Sequence, residues 1–255
     1  MFNDPLYLLR SAEEMYSAKG LDWLILTCEK LITFRHWDST MDELRPVLEQ
    51  SGVRYIPTPL LTEPAFLFPI VSPQGNMTLA QVRYVRPVGL SEMRYQTIGQ
   101  MSWHFGPLWF GMDEVTRSLI VQSRIVMIVE GPMDVLACRV ILGPNVPVIC
   151  GLGKTLTAKH ETDLHLLGVR KVLCMWDQDE AGSSAKMPET IPERVRLRCP
   201  TKDPSDCLKS LELGKRLYNE VQLGYSQPLS ARPISAEEFV RLLRQANIEI
   251  SELTR

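Results

Sequence analysis

Three acidic residues stand where strands should end: Glu130 after RIVMIV, then Asp177 and Asp179 after RKVLCMW. Their spacing is informative. In Glu130-Gly131-x-x-Asp134 a second acid follows one helical turn after the first, and Gly131 lets the backbone turn tightly beside a ligand. In Asp177-x-Asp179 alternate residues of an extended segment point the same way, so both carboxylates can face one site. Carboxylates crowded together resist ionisation unless a cation lies between them. Hard oxygen donors with few His or Cys nearby favour Mg²⁺ or Mn²⁺, ions that keep positions open for substrate phosphates.

The elements that must position these acids are legible as alternating patterns. Apolar β-branched runs at 125–129, 146–150 and 171–176 are each followed by a stretch with helical spacing. Strand–helix alternation of this kind predicts a parallel sheet wound by right-handed crossovers. In such a sheet the carboxyl ends of the strands share one edge, where residues distant in sequence converge.

The second run leads into Gly151-Leu152-Gly153-Lys154-Thr155. This is not a Walker loop, because Val148 stands where that pattern needs glycine. It reads as a glycine turn into a helix capped by Thr155 or Thr157, with its amides and Lys154 facing phosphate at the same sheet edge. His160 and His165, on that helix without a paired acid, read as surface residues. Gly182 and Ala185 keep the start of a later helix small. A fourth strand, VRLRCP, precedes Lys202-Asp203-Pro204-Ser205-Asp206, where Asp203 and Asp206 by themselves suit an N-cap and a first-turn acid.

Residues 3 to about 50 are expected to be mostly helical. Leu8, Leu9, Ala12, Met15 and Tyr16 recur at helical spacing, as do Leu44, Val47 and Leu48 after the turn-like Asp38-Ser39-Thr40. Pro57, Pro59 and Pro64 mark a connection. From Phe66 the period becomes that of two strands joined at Ser72-Pro73-Gln74-Gly75. Arg83 and Arg86 leave this hairpin, with Arg94 beyond; spacing alone fits a solvated face as well as a ligand site. Near the end, ISAEEFVRLLRQANIEI is expected to form a helix with Phe239, Leu242 and Leu243 on one face.

Composition sets the class. A chain of 255 residues with 45% hydrophobic and 23% charged residues has the make-up of an ordinary globular protein. No apolar run spans a membrane and the start is no secretory signal, so no membrane partner and a cytoplasmic location are expected. A formal charge of −2 argues against a general coat for DNA while leaving room for a local basic groove. The six cysteines form no CxxC pair, which argues against a zinc site or a disulfide framework.

Taken in order, EGPMD, GLGKTLT and DQDEAG resemble the TOPRIM signature shared by bacterial DnaG-type primases, phage primase-helicases, type IA and II topoisomerases and some nucleases. The resemblance implies an α/β TOPRIM domain over 123–210, a mainly parallel sheet flanked by helices. A mixed α+β lobe over 1–122 would precede it, and a linker with a helical tail over 211–255 would follow. FPIVSPQGNMTLAQVR is similar to the hairpin of the primases' amino-terminal lobe, where a Gly turn is followed by an Arg that contacts nucleic acid or nucleotide; Arg83 falls at that position. KDPSD matches the place where these primases carry further metal-binding acids. Asp203 fits it, and Asp206 stands in because Ser205 occupies one acidic position. The chain departs from the family at a phosphate-holding lysine, replaced by Phe105 or Pro107 depending on the alignment, and neither replacement can hold phosphate.

What this resemblance implies is a DNA primase core, of bacterial, phage or mobile-element type, that makes short RNA primers on single-stranded DNA from nucleoside triphosphates. Two Mg²⁺ or Mn²⁺ ions, and no zinc, would be held by the catalytic acids Glu130, Asp177 and Asp179, with Asp203 and Asp206 assisting. Glu130 would double as general base. Arg83, Arg86, Arg94 and Lys154 would hold template or triphosphate, and Gly131, Asp134, Gly151, Gly153 and Gly182 would shape the site. A replicative helicase or a separate zinc-binding subunit is the expected partner. Two other readings stay open: a Mg²⁺-dependent TOPRIM nuclease, and a non-catalytic primase-like replication subunit.

Overall fold

The computed structural model describes residues 4–58, 60–71, 77–89, 93–100, 106–152, 155–178 and 187–227. The chain divides after Phe105 into two compact units, earlier than the division after residue 122 read from sequence. The residues between those points join the second unit through local bonding. Phe110 exchanges backbone hydrogen bonds with Cys150, at 2.9 and 3.0 Å.

The first unit opens with three helices, α1 (Pro5–Ser17), α2 (Trp23–Arg35) and α3 (Met41–Ser51). α1 starts where it does because Asp4 Oδ1 accepts the amides of Leu6 and Tyr7 and Pro5 presets the first turn. α3 starts in a capping box, with Glu43 N donating to Thr40 Oγ1 and Thr40 N donating to Glu43 Oε2. It stops at Gly52, which takes the left-handed φ of +67° that ends a helix cheaply.

Four antiparallel strands follow in sheet order β1-β2-β3-β4: β1 (Arg54–Ile56), β2 (Ala65–Val71), β3 (Met77–Val88) and β4 (Met93–Gly99). β2 and β3 are the pair expected from the sequence; the turn expected at 72–75 lies outside the described residues. β1 and β4 were not anticipated. β1 has only three residues, and β4 reads MRYQTIG, too polar to alternate visibly. Leu8, Ala12 and Tyr16 of α1 bury against Leu67, Ala80, Val82 and Ile98 of the sheet, the core that fixes this unit.

The second unit contains α4 (Glu114–Ser123), β5 (Ile125–Val129), α5 (Pro132–Leu142), β6 (Val148–Cys150), α6 (Ala158–Leu166), β7 (Lys171–Met175), β8 (Glu193–Arg196), a 3₁₀ helix (Pro204–Lys209) and α7 (Leu211–Ser226). Its sheet runs β6-β5-β7-β8 and every pairing is parallel, as the strand–helix alternation predicts. β5 and β7 are buried along their whole length, the condition of parallel strands covered on both faces.

The second strand begins at Val148 rather than 146. Pro147 lends only its carbonyl, to Met127 N at 2.9 Å, and has no N–H for the ladder. The third strand ends at Met175, one residue short of the expected limit. α7 was not anticipated because Gly214 and Gly224 weigh against a helix in sequence. A Cβ built at Gly224 would stand 2.9 Å from Leu197 Cδ2 and 3.2 Å from Leu173 Cδ2, so this glycine lets the helix lie close on the sheet.

The helices expected after Gly182 and at ISAEEFVRLLRQANIEI lie outside the described residues. All six cysteines are buried free thiols, small apolar groups within the two units. Among the described residues no helix is long and apolar enough to cross a membrane.

Candidate functional site

Strand register decides which residues meet. Val129 pairs with Cys150 on one side and with Met175 on the other, and Cys174 pairs with Arg196. Glu130, Gly151, Asp177 and Arg198 therefore leave four parallel strands at one edge, with neighbouring strands about 4.8 Å apart. Pro132 at the first position of α5 turns the chain away from Glu130, which is half-buried at the strand end.

Asp134 is the buried centre of this edge, with 7% of its surface exposed. Its Oδ2 accepts the amide of Gly131 at 3.1 Å, which closes the first turn of α5. Its Oδ1 accepts the amide of Ser205 at 3.1 Å, tying the 3₁₀ helix to α5 across 71 residues of sequence. Burial pushes the Asp134 carboxyl well above the ordinary aspartate range, and the charges of Asp203 and Asp177 push it further. These three carboxylates thus share one electrostatic environment.

The loop bearing Asp203 is held there by the residue after Asp177. Gln178 N donates to Lys202 O at 2.6 Å, and its side-chain amide donates to Cys199 O. Asp203 also caps the 3₁₀ helix, accepting Asp206 N at 2.9 Å and Ser205 Oγ at 2.7 Å through Oδ1. The local reading of Asp203 as an N-cap therefore holds together with its place among the acids. Asp206 is engaged elsewhere, in an ion pair with Lys209 Nζ at 2.6 Å.

Among the described residues no three His, Cys, Asp or Glu side chains form a ready cage for a cation. Asp179 lies outside the described residues, as do Gly153, Lys154 and Gly182. The donor set that is described fits a hard divalent ion: it is oxygen only and anionic, and its charges add to the burial that raises Asp134. Burial pushes the nearby Cys138 thiol well above its ordinary value.

Gly151 begins the turn after β6. A Cβ there would lie 2.8 Å from Leu156 Cδ2, so the glycine lets the Leu156 side chain pack close on the turn, and Leu152 follows at a φ of +55°. His160 corrects the surface reading. It is buried, takes the Thr157 amide on Nδ1 at 3.1 Å, and stands edge-on to Trp109 with ring centres 4.5 Å apart. The helical period turns it inward beneath the Gly151 turn, and burial lowers its pKa. His165 is half-buried, bonded to Thr190 Oγ1 at 2.9 Å.

In the first unit Arg83 faces Tyr95 across the β3–β4 pair. Its guanidinium lies 4.5 Å from the Tyr95 ring centre and 5.5 Å from that of Phe34, a stacked cation held by aromatic faces. Arg86 and Arg94 are exposed.

Sequence reasoning missed Ser205 and Arg139. Ser205 acts through its backbone amide, which no residue pattern reveals. Buried Arg139 pairs with Asp113 Oδ2 at 3.0 Å and donates to Gly111 O at 2.6 Å and Thr116 Oγ1 at 2.7 Å, fastening the segment before α4 to α5. The one signal was a lone Arg in the apolar stretch that follows Asp134 in α5.

Residues 127–207 match the Toprim-like family model. Over 110 residues the chain is 33% identical to a DNA primase of Deinococcus radiodurans, a match that covers 40% of this chain and 19% of the primase. The chain thus spans about a fifth of that relative's length. The fold is similar to the RNA polymerase domain of Mycobacterium tuberculosis primase DnaG, with a TM-score of 0.62 at 16% identity over 99% of this chain and 91% of that one. It is also similar to a DnaG primase catalytic domain bound to single-stranded DNA, with a TM-score of 0.57 at 15% identity over 96% and 84%. The sheet of four parallel strands with its flanking helices is the Toprim fold, as the sequence resemblance implied.

Proposed function

We propose that this chain, a Toprim protein similar to primases in sequence and fold, is the RNA-polymerase core of a DNA primase. It copies single-stranded DNA into short RNA primers from ribonucleoside triphosphates, in the cytoplasm, beside a replicative helicase or a zinc-binding partner subunit. One observation carries the reading: strand register brings the ends of β5 and β7, with Glu130 and Asp177, to one edge of the sheet, where burial and then the charges of Asp203 and Asp177 push the Asp134 carboxyl up. Repulsion of that kind marks a site built for a counter-ion.

Glu130, Asp177 and Asp179 would hold Mg²⁺ or Mn²⁺, as two ions, with Asp203 assisting and Asp206 joining only if it leaves Lys209. Bound there, the metal supplies charge neutralisation for the phosphates and acidifies the attacking hydroxyl. Asp134 positions: by holding the Ser205 amide it fixes the 3₁₀ helix that Asp203 caps. Glu130, at the end of β5, takes the proton of the primer 3′-hydroxyl. Lys154 and the turn after Gly151 meet the triphosphate, and stacked Arg83, with Arg86 and Arg94, neutralises template phosphates.

The test is synthesis. A single-stranded template is incubated with labelled ribonucleotides and Mg²⁺, beside Glu130→Gln and Asp177→Asn. Short RNA made by the wild type and lost in both variants supports the reading. DNA cleavage without synthesis replaces it with a nuclease, and neither product replaces it with a non-catalytic subunit.

A further inference from the structure

Two of the buried thiols stand together. Cys199, in the segment after β8, and Cys207, in the 3₁₀ helix, have their Sγ atoms 3.8 Å apart. They bracket the loop that carries Asp203, and the nucleotidyl transfer proposed above uses neither sulfur. A disulfide needs about 2.0 Å between sulfurs, so the pair must close by roughly 1.8 Å, within the reach of side-chain rotation. Cys199 lines a surface depression between the end of β8 and α7, while Cys207 is fully buried. Burial slows the entry of an oxidant and does not change which two sulfurs then meet.

The sulfurs also belong to the contacts that fix this loop. Thr201 Oγ1 donates its one proton to Asp203 O at 2.7 Å. It is therefore left to accept from the thiols, and it lies 3.1 Å from Cys207 Sγ and 3.6 Å from Cys199 Sγ. The Cys199 carbonyl accepts the side-chain amide of Gln178. Moving either sulfur thus disturbs the hydroxyl that holds the Asp203 carbonyl.

We propose that Cys199 and Cys207 are a redox-modification site: hydrogen peroxide joins them in one disulfide, which closes the loop around Asp203 and weakens the grip of the acids on a divalent ion. The effect on the ion rests on the metal reading given above, and the disulfide does not. In the first step the Cys199 sulfur attacks peroxide, an S–O bond forms, the O–O bond breaks and one water leaves, giving a sulfenic acid. In the second the Cys207 sulfur attacks that sulfur, the S–S bond forms, the S–O bond breaks and a second water leaves with the Cys207 proton. Two electrons pass from the sulfurs to the peroxide, and both S–H donors beside Thr201 are consumed.

The experiment treats the full chain with hydrogen peroxide in EDTA, removes the peroxide, alkylates the remaining thiols and analyses a tryptic digest by mass spectrometry without reduction. Trypsin cuts after Arg198, Lys202 and Lys209. The expected product is the peptide Cys199–Lys202 joined to Asp203–Lys209, lighter by two hydrogens than the separate peptides and parted by a phosphine reductant. Cys207→Ala and Cys199→Ala are each expected to yield no such product, with thermal unfolding verifying that they fold. Mn²⁺ is then titrated into the oxidised and the reduced chain. Paramagnetic resonance is expected to show several-fold weaker binding after oxidation, restored by the reductant, and no effect of peroxide on either variant.

Absence of the joined peptide overturns the proposal, as does a bridge from either sulfur to Cys138, the thiol that interacts electrostatically with both. The joined peptide with unchanged Mn²⁺ affinity overturns the effect on the ion. If the reduced chain binds no Mn²⁺, the metal reading falls and that effect with it, while the disulfide stands or falls on the joined peptide.

Discussion

Replacing Asp134 with alanine isolates the contact that joins α5 to the 3₁₀ helix. The substitution leaves two backbone amides without acceptors. Ser205 is 1% exposed, and a buried amide left unsatisfied costs about 1–3 kcal/mol. The Gly131 amide loses its cap at the start of α5, worth about 1 kcal/mol. Against this stands relief of a buried carboxyl that Asp203 and Asp177 disfavour in its charged form.

That relief depends on pH in a definite direction. A carboxyl whose folded pKa is raised stabilises the fold fully below its unfolded value near 4, and the contribution is lost as pH rises through the folded value. At pH 5, toward the acid side where the raised carboxyl contributes most, Asp134→Ala is expected to cost about 2–4 kcal/mol, or roughly 5–15 °C in Tm. At pH 8 the cost shrinks. Urea unfolding at both pH values in EDTA, followed by tryptophan fluorescence, measures the pair. A variant within about 0.5 kcal/mol of wild type at pH 5, or a difference that grows toward pH 8, refutes the reasoning.

Burial lowers the His160 pKa, so the fold binds this proton less readily than the unfolded chain and loses stability as pH falls below about 6.5; His160→Asn, which can still accept the Thr157 amide, is expected to flatten that acid-side slope between pH 7 and 5. Arg139→Met removes the buried ion pair to Asp113 and the donor to the Gly111 carbonyl, and denaturant unfolding is expected to show a loss of about 3 kcal/mol. Arg83→Ala removes the cation stacked on Tyr95 and Phe34. Titration with single-stranded DNA over a salt series is expected to show weaker binding and a log–log slope smaller by about 0.7.

The parallel sheet and its shared edge were legible because β5 and β7 are short unbroken apolar runs followed by helical spacing, the pattern that buried parallel strands leave. The places of Glu130 and Asp177 at strand ends and of Asp203 at a helix cap were legible because these are local features. The boundary at Phe105 was not, since it depends on Phe110 bonding to Cys150 and on Arg139 reaching Gly111, contacts with no period in sequence. Ser205 was hidden because a backbone amide does its work. His160 was misjudged because one histidine on a mixed helix does not say which face is covered. α7 was obscured by Gly224, whose purpose is visible only against Leu173 and Leu197.

The claim at the centre is that separated acids form one cation site at the sheet edge. Electron paramagnetic resonance of Mn²⁺ titrated into the metal-free chain tests it without reference to activity. The account predicts a bound signal for the wild type that is lost or greatly weakened in Glu130→Gln and in Asp177→Asn, with Mg²⁺ competing. Mn²⁺ bound equally by wild type and both variants, or not bound at all, contradicts it.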